Sequence, residues 1–163
     1  MNPYVGYENI ILLTEPKDIA STVTSSSYMS LKGAQHAAFL VTFGAITSAT
    51  STDTEDITVE AATAEGGTEA QIDFWYRKSG ALGTNTWGAI TSASVLAMDN
   101  AVDNVMVWIE FDVDACAAND YTVARIKLTD NTDMAACLVS VHGFIRPRYR
   151  MTTFVSATAS ASS

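Results

Sequence analysis

Alternation at period two is the feature that most restricts what this chain can fold into. In DITVEA, Asp56–Ala61, the residues Ile57, Val59 and Ala61 recur at every second position. In AQIDFWYR, Ala70–Arg77, Ile72, Phe74 and Tyr76 do the same. YTVARIKL, Tyr121–Leu128, sets Tyr121, Val123, Arg125 and Lys127 against Ala124, Ile126 and Leu128. A strand sends successive side chains to opposite faces, whereas a helix needs apolar residues three and four apart. These segments therefore read as strands with one buried face.

Further runs join them. YMSLK (28–32), AAFLVTF (37–43), NVMVWIEF (104–111) and AACLVSVHGF (135–144) are rich in β-branched and aromatic residues. NVMVWIEF is almost continuously apolar, as a strand covered on both sides would be. Helical signal is confined to ASVLAMDNAV (93–102) and residues 114–119, each enough for about one turn. Gly, Ser, Thr, Asp and Asn punctuate the runs. The sequence thus predicts an all-β fold: a single β-sandwich or jelly-roll-like domain over residues 27–145. Residues 1–26 and 146–163 are expected to form extended N- and C-terminal arms, because IILL is the one apolar run in the first and SATASASS closes the second. An aromatic residue followed by GAITSA occurs twice, at Phe43 and at Trp87. The flanks do not align, so the pair reads as two similar strand-to-loop corners rather than a repeat architecture. In that reading Gly44 and Gly88 permit a bend, and Ile46 and Ile90 re-enter the core.

Charge narrows the function. The chain of 163 residues carries 18 acids against 9 Lys and Arg, a net charge of −9. Three of those bases, Arg146, Arg148 and Arg150, lie in FIRPRYR, after the last acid. An acidic body lacks the positive face that sequence-independent DNA binding needs, so no nucleic-acid partner is expected. No apolar run reaches the ~20 residues of a membrane span, and the first residues carry no basic, apolar export signal. Cys116 and Cys137 read as buried thiols of a protein made in a reducing cytoplasm. Only 17% of residues are charged, which suits a surface that lives against neighbours.

Motifs of catalysis and metal binding are weak. Asp112, Asp114 and Asp120 crowd one loop, but Cys116, Ala117 and Val123 stand where a calcium EF-hand needs an oxygen ligand, a glycine and a glutamate. His36 and His142 fall at or within strands and read as structural. Glu60 and Asp73 offer a carboxylate pair of the kind glycosidases use, and Trp75 or Trp87 offers a sugar-stacking platform, with no spacing that fixes either geometry. No cofactor or metal site is expected, and the chain reads as a non-enzyme. In FIRPRYR the alternate arginines Arg146, Arg148 and Arg150 point to one side of an extended segment, with Tyr149 opposite. They suit docking on an acidic partner, including another copy of this chain.

The phrases YMSLKGAQHAAFLVTFGAITSA, DITVEAATAEGGTEAQIDFWYRKSGA and YTVARIKLTD, with the ending FIRPRYR, resemble the small proteins encoded beside the major capsid protein of tailed bacteriophages. Those are head decoration, or cement, proteins. The resemblance spans roughly residues 20–150 and rests on the succession of strands and phrases. It implies a virion structural protein on the capsid exterior, bridging capsomers, with the major capsid protein and sister copies as partners. It carries over no catalytic residue. Other virion β-sandwiches, such as tail-tube or head-fibre proteins, and a glycan-binding module remain as alternatives.

Overall fold

The computed structural model describes residues 9–19, 23–47, 54–99, 104–131 and 135–148. Among these residues twelve strands and one short helix follow in order. They are β1 (Asn9–Asp18), β2 (Val23–Ser25), β3 (Met29–Ser30), β4 (Ala34–Thr47), β5 (Thr54–Ala62), β6 (Ala70–Ile72) and β7 (Phe74–Lys78). Then come β8 (Thr91–Ala93), β9 (Leu96–Asp99), β10 (Met106–Phe111), α1 (Val113–Ala118), β11 (Val123–Asp130) and β12 (Ala136–Pro147).

Two antiparallel sheets face each other. The front sheet runs β1-β12-β4-β10-β7-β8; the back sheet runs β2-β11-β5-β6, with β3 also on β11 and β9 also on β5. The first strand pairs with the last, the early β2 and β3 pair with the penultimate β11, and β4 and β5 lie inside those pairs. This nested pairing is that of a jelly roll, with β7 and β8 added at one edge of the front sheet. The expected all-β sandwich is therefore the fold observed.

The core lies between the sheets. Phe39, Val41 and Phe43 of β4, Val107 and Ile109 of β10, and Val139 and Val141 of β12 meet Ile57, Val59 and Ala61 of β5 and Ile126 and Leu128 of β11. All come from alternating positions, so the period-two pattern is the pattern of burial. AQIDFWYR, which reads as one strand, is two. β6 belongs to the back sheet and β7 to the front, and the chain changes sheets at Asp73. Ile72 and Phe74 face the core on either side of that corner, so the alternation survives the turn.

Four expectations need correction. The sandwich begins before residue 27: β1 pairs with β12 from Asn9↔Ile145 to Asp18↔Leu138, and β2 pairs with β11. Leu13 and Ile19 enter the core, so much of the expected N-terminal arm is sheet. At the other end, Arg146 and Pro147 finish β12 opposite His36 and Ala34, beyond the expected boundary at 145. The segment 93–102 gives strands β8 and β9 where it is described, because β5 and β7 offer edges to pair with. Finally, the GAITSA copies are not two corners. Gly44 and Ile46 lie within β4, with Ile46 buried, whereas Ile90 is exposed in a loop. The short helix at residues 114–119 is present as α1, capped by Asp112, whose Oδ1 accepts hydrogen bonds from the amides of Asp114 (2.9 Å) and Ala115 (3.0 Å).

Gly143 shows how closely the layers meet. It sits in β12 opposite Phe39 and Ile11. A Cβ there would lie 2.7 Å from Met29 Sδ and 2.8 Å from Leu13 Cδ1, inside van der Waals contact. The Gly143→Ala variant is expected to lose ~1–3 kcal/mol through overpacking. Met29 is fully buried, so Met29→Ala is itself destabilising, but the double variant should lose less than the sum of the two single losses, as read by urea denaturation midpoints of the single and double variants.

Candidate functional site

The two outer faces differ in chemistry. Directly paired residues share a face, so the ladders list each face row by row. On the back sheet one row is Gln71, Glu60 and Arg125, and the next is Thr58, Lys127 and Ser25. Glu60 is held there on two sides: Arg125 Nε and Nη2 donate to Oε2 at 3.0 and 2.9 Å, and Lys127 Nζ donates to Oε1 at 3.1 Å. Arg125 also pairs with Glu69 at 2.7 Å and lies over the Tyr28 ring. Tyr28 in turn donates its hydroxyl to Glu69. This face is polar and charge-paired, and Glu60 itself is buried within the network.

On the front sheet one row is Ile10, Phe144, Ala38, Glu110, Trp75 and Ser92. The next is Leu12, His142, Leu40, Trp108 and Arg77. Ile10, Leu12, Trp75, Met106 and Leu138 all stand exposed on this side. Apolar and aromatic groups predominate in these two rows, with Glu110 and Arg77 as their charged members.

At the end of this face nearest α1 lies an open cleft of about 530 Å³. Trp75, Trp108 and Phe144 line it together with His36, Glu110, Asp112, Asp114 and Arg146. Trp75 is 50% exposed. Trp108 reaches over the small Ala38 to meet Phe144, their ring centroids 4.9 Å apart and the planes tilted by 51°. Glu110 stands between the two indoles, opposite Trp75 in the ladder, and its Oε1 accepts the Trp108 Nε1–H at 2.7 Å. Asp114 pairs with Arg148. Trp108 and Glu110 escape a reading of NVMVWIEF as a doubly covered strand. Their signal is the alternation within the run: Val107, Ile109 and Phe111 are buried, and Met106, Trp108 and Glu110 face out.

Other singled-out residues fall elsewhere. Glu60 and Asp73 do not share a cleft: Glu60 lies in the back-face ion network, and Asp73 lines a separate hollow with Asp112, Cys116 and Tyr121. Trp87 pairs with Ser79 through an isolated bridge and is covered by the Arg77 guanidinium, 4.9 Å from its ring centroid. Trp75 is therefore the freer platform of the two. His36 lines the aromatic cleft, whereas His142 faces outward on β12 with a buried Nδ1 that has no hydrogen-bond partner among the described residues. Among the expected docking arginines, Arg146 lines the cleft and Arg148 is engaged by Asp114; Tyr149 and Arg150 lie outside the described residues. Among the described residues no group of three or more His, Cys, Asp or Glu is placed to hold a metal ion. Cys116 and Cys137 are both buried and unbonded. Burial first, then nearby carboxylates, pushes their thiols up to about 11 and about 12, which leaves them poor nucleophiles at neutral pH.

Compared with known proteins, the chain matches no family model, no curated protein and no solved structure.

One buried acid lies away from the cleft. Glu55 of β5 is fully buried, faces inward in register with Asp130, and neither of its carboxyl oxygens has a hydrogen-bond partner among the described residues. Burial, then Asp130 and Asp56, raises its carboxyl to about 8; Asp18 and Cys137 sit in the same acidic end of the sandwich. A carboxyl raised in the folded state binds its proton more tightly there than in the unfolded chain. Stability from this group is thus fully present below the unfolded value and falls as pH rises towards about 8. The slope can reach ~1.4 kcal/mol per pH unit. Glu55→Gln, which cannot ionise, should flatten the stability profile between about pH 5 and 8 relative to the parent chain, measured by urea unfolding across that range.

Proposed function

We propose that this chain is a non-enzymatic structural protein of a phage virion, docking on the outer surface of the capsid and cementing neighbouring capsomers. The observation that carries the reading is the difference between its two outer faces. On the β1–β12 half of the front sheet Ile10 and Leu12 stand exposed at one end and Leu138, opposite Asp18, at the other, while the back sheet carries Glu60, Arg125 and Lys127. Exposed apolar side chains on an otherwise polar protein favour burial against a partner. The charged back face would then remain in water. The resemblance to decoration proteins points the same way, and a jelly roll is compatible with such a role without specifying it. Binding energy in this reading comes from the β1–β12 half of the front face. Many copies on one shell add up to resistance against dissociation, since a partner that binds only the assembled state stabilises that state.

The test is occupancy on purified capsids. Leu12→Glu and Leu138→Glu place a charge on exposed positions and should leave the melting temperature within about 2 °C of the parent. Each is expected to weaken capsid binding by about tenfold or more, because an unpaired carboxylate would be buried at the contact. Unchanged occupancy in both variants would remove these apolar positions from the docking face. A truncation that probes the C-terminal arm should begin after Arg148, since Ile145, Arg146 and Pro147 pair with β4.

A further inference from the structure

The cleft around Trp75, Trp108 and Glu110 has a chemistry that capsid docking through the β1–β12 half of the front face does not use. Its walls are aromatic, its polar groups are planar acceptors with spare capacity, and it is open to solvent. Glu110 commits one carboxylate oxygen to the Trp108 indole, leaving Oε2 with no hydrogen bond among the described residues. Asp112 likewise spends Oδ1 on the start of α1 and leaves Oδ2. An ionised carboxylate offers about four lone-pair sites, so each can accept further hydrogen bonds. Arg146 and His36, paired across β12 and β4, supply donors on the same wall, and the Arg146 side chain has no ion pair among the described residues.

A pyranose unit matches such a site. Its axial C–H face is apolar and slightly positive, and it lies flat on the electron-rich face of an indole. Its hydroxyls donate to carboxylates and accept from a guanidinium. Net charge chooses among saccharides. Glu110, Asp112 and Asp114 face two arginines, Arg146 and Arg148, and the whole chain carries −9. An anionic sugar would meet like charge at the site and in the surrounding field. We propose that this cleft is a binding site for a neutral oligosaccharide of flat, equatorially substituted pyranosides, stacked on Trp75 and hydrogen-bonded by Glu110, Asp112 and Arg146. The inference does not rest on the capsid reading, and the isolated protein suffices to test it.

The experiment follows the indole N–H signals of Trp75 and Trp108 by NMR during titration with cellohexaose, chitohexaose and the C6-oxidised hexauronate of cellohexaose. At least one of the two neutral hexamers is expected to shift both signals and to saturate at millimolar concentration. The hexauronate should bind at least about fivefold more weakly, by the like-charge term. Trp75→Ala should weaken the neutral sugar by about tenfold, and Trp75→Phe should restore part of that loss because a ring remains. Glu110→Gln keeps the indole contact, and it should narrow the gap between neutral and acidic sugars by removing a charge. Melting curves that match the parent keep these variants interpretable, as Trp75 and Glu110 are both exposed. Silence from both neutral hexamers would overturn the proposal. So would binding that survives Trp75→Ala, or tighter binding of the hexauronate. A partner peptide that shifts these indole signals while neither neutral sugar does would reassign the cleft to protein docking.

Discussion

The insertion of β12 between β1 and β4 is the constraint on which the rest of this molecule depends. β12 supplies one wall of the core through Cys137, Val139 and Val141, and it bonds to neighbours on both sides along nearly its whole length. Without it β1 would have no partner and β4 would become an edge, exposing a row of unsatisfied amides and carbonyls. The same strand carries Phe144 and Arg146 into the aromatic cleft and exposes Leu138 on the front face. One strand thus closes the sheet, completes the core and contributes to both candidate surfaces. Gly143 marks the geometric cost of that position: at the point where β12 passes Leu13 and Met29 there is no room for a side chain.

The outer faces follow from the same alternation that builds the core. Every inward residue on β10 and β12 has an outward neighbour, and on the front sheet Met106, Trp108, Leu138 and Phe144 stand among those neighbours beside the charged Glu110 and Arg146. Buried Glu55 is the exception on the inner side. A neutral carboxyl stands where an apolar residue would otherwise complete the stripe of Ile57, Val59 and Ala61. The back-sheet network around Glu60 is of another kind, since Glu60 is buried but its charge is matched by Arg125 and Lys127, whose side chains are partly exposed.

Much of the fold was legible because burial in a two-layer sandwich has the same period as the strand itself. Asp56–Ala61 and Tyr121–Leu128 became the neighbouring strands β5 and β11, and the alternation in each marks the face it buries. Legibility failed where pairing partners, and not local pattern, decided the outcome. Asn9–Asp18 looks like an arm because Glu15, Pro16, Lys17 and Asp18 dilute IILL, yet β12 gives it a complete ladder. Residues 96–99 have helix-forming composition, and β5 draws them into a strand instead. The aromatic cleft was half visible. Trp75 stood out as an exposed platform, but its union with Trp108, Glu110 and Arg146 depends on β7, β10 and β12 being brought to one face by strands far apart in sequence. No local motif encodes that adjacency.

The pairing of the first strand with the last has a consequence for biosynthesis. Residues 9–18 leave the ribosome well before their partners, 136–147, have been made. Through that interval β1 has no described neighbour to close against and β4 has β10 alone, and contacts of such long sequence separation form slowly even once the whole chain is free. A nascent chain with this topology passes most of its synthesis with the front sheet open, and closure of that sheet waits for β12.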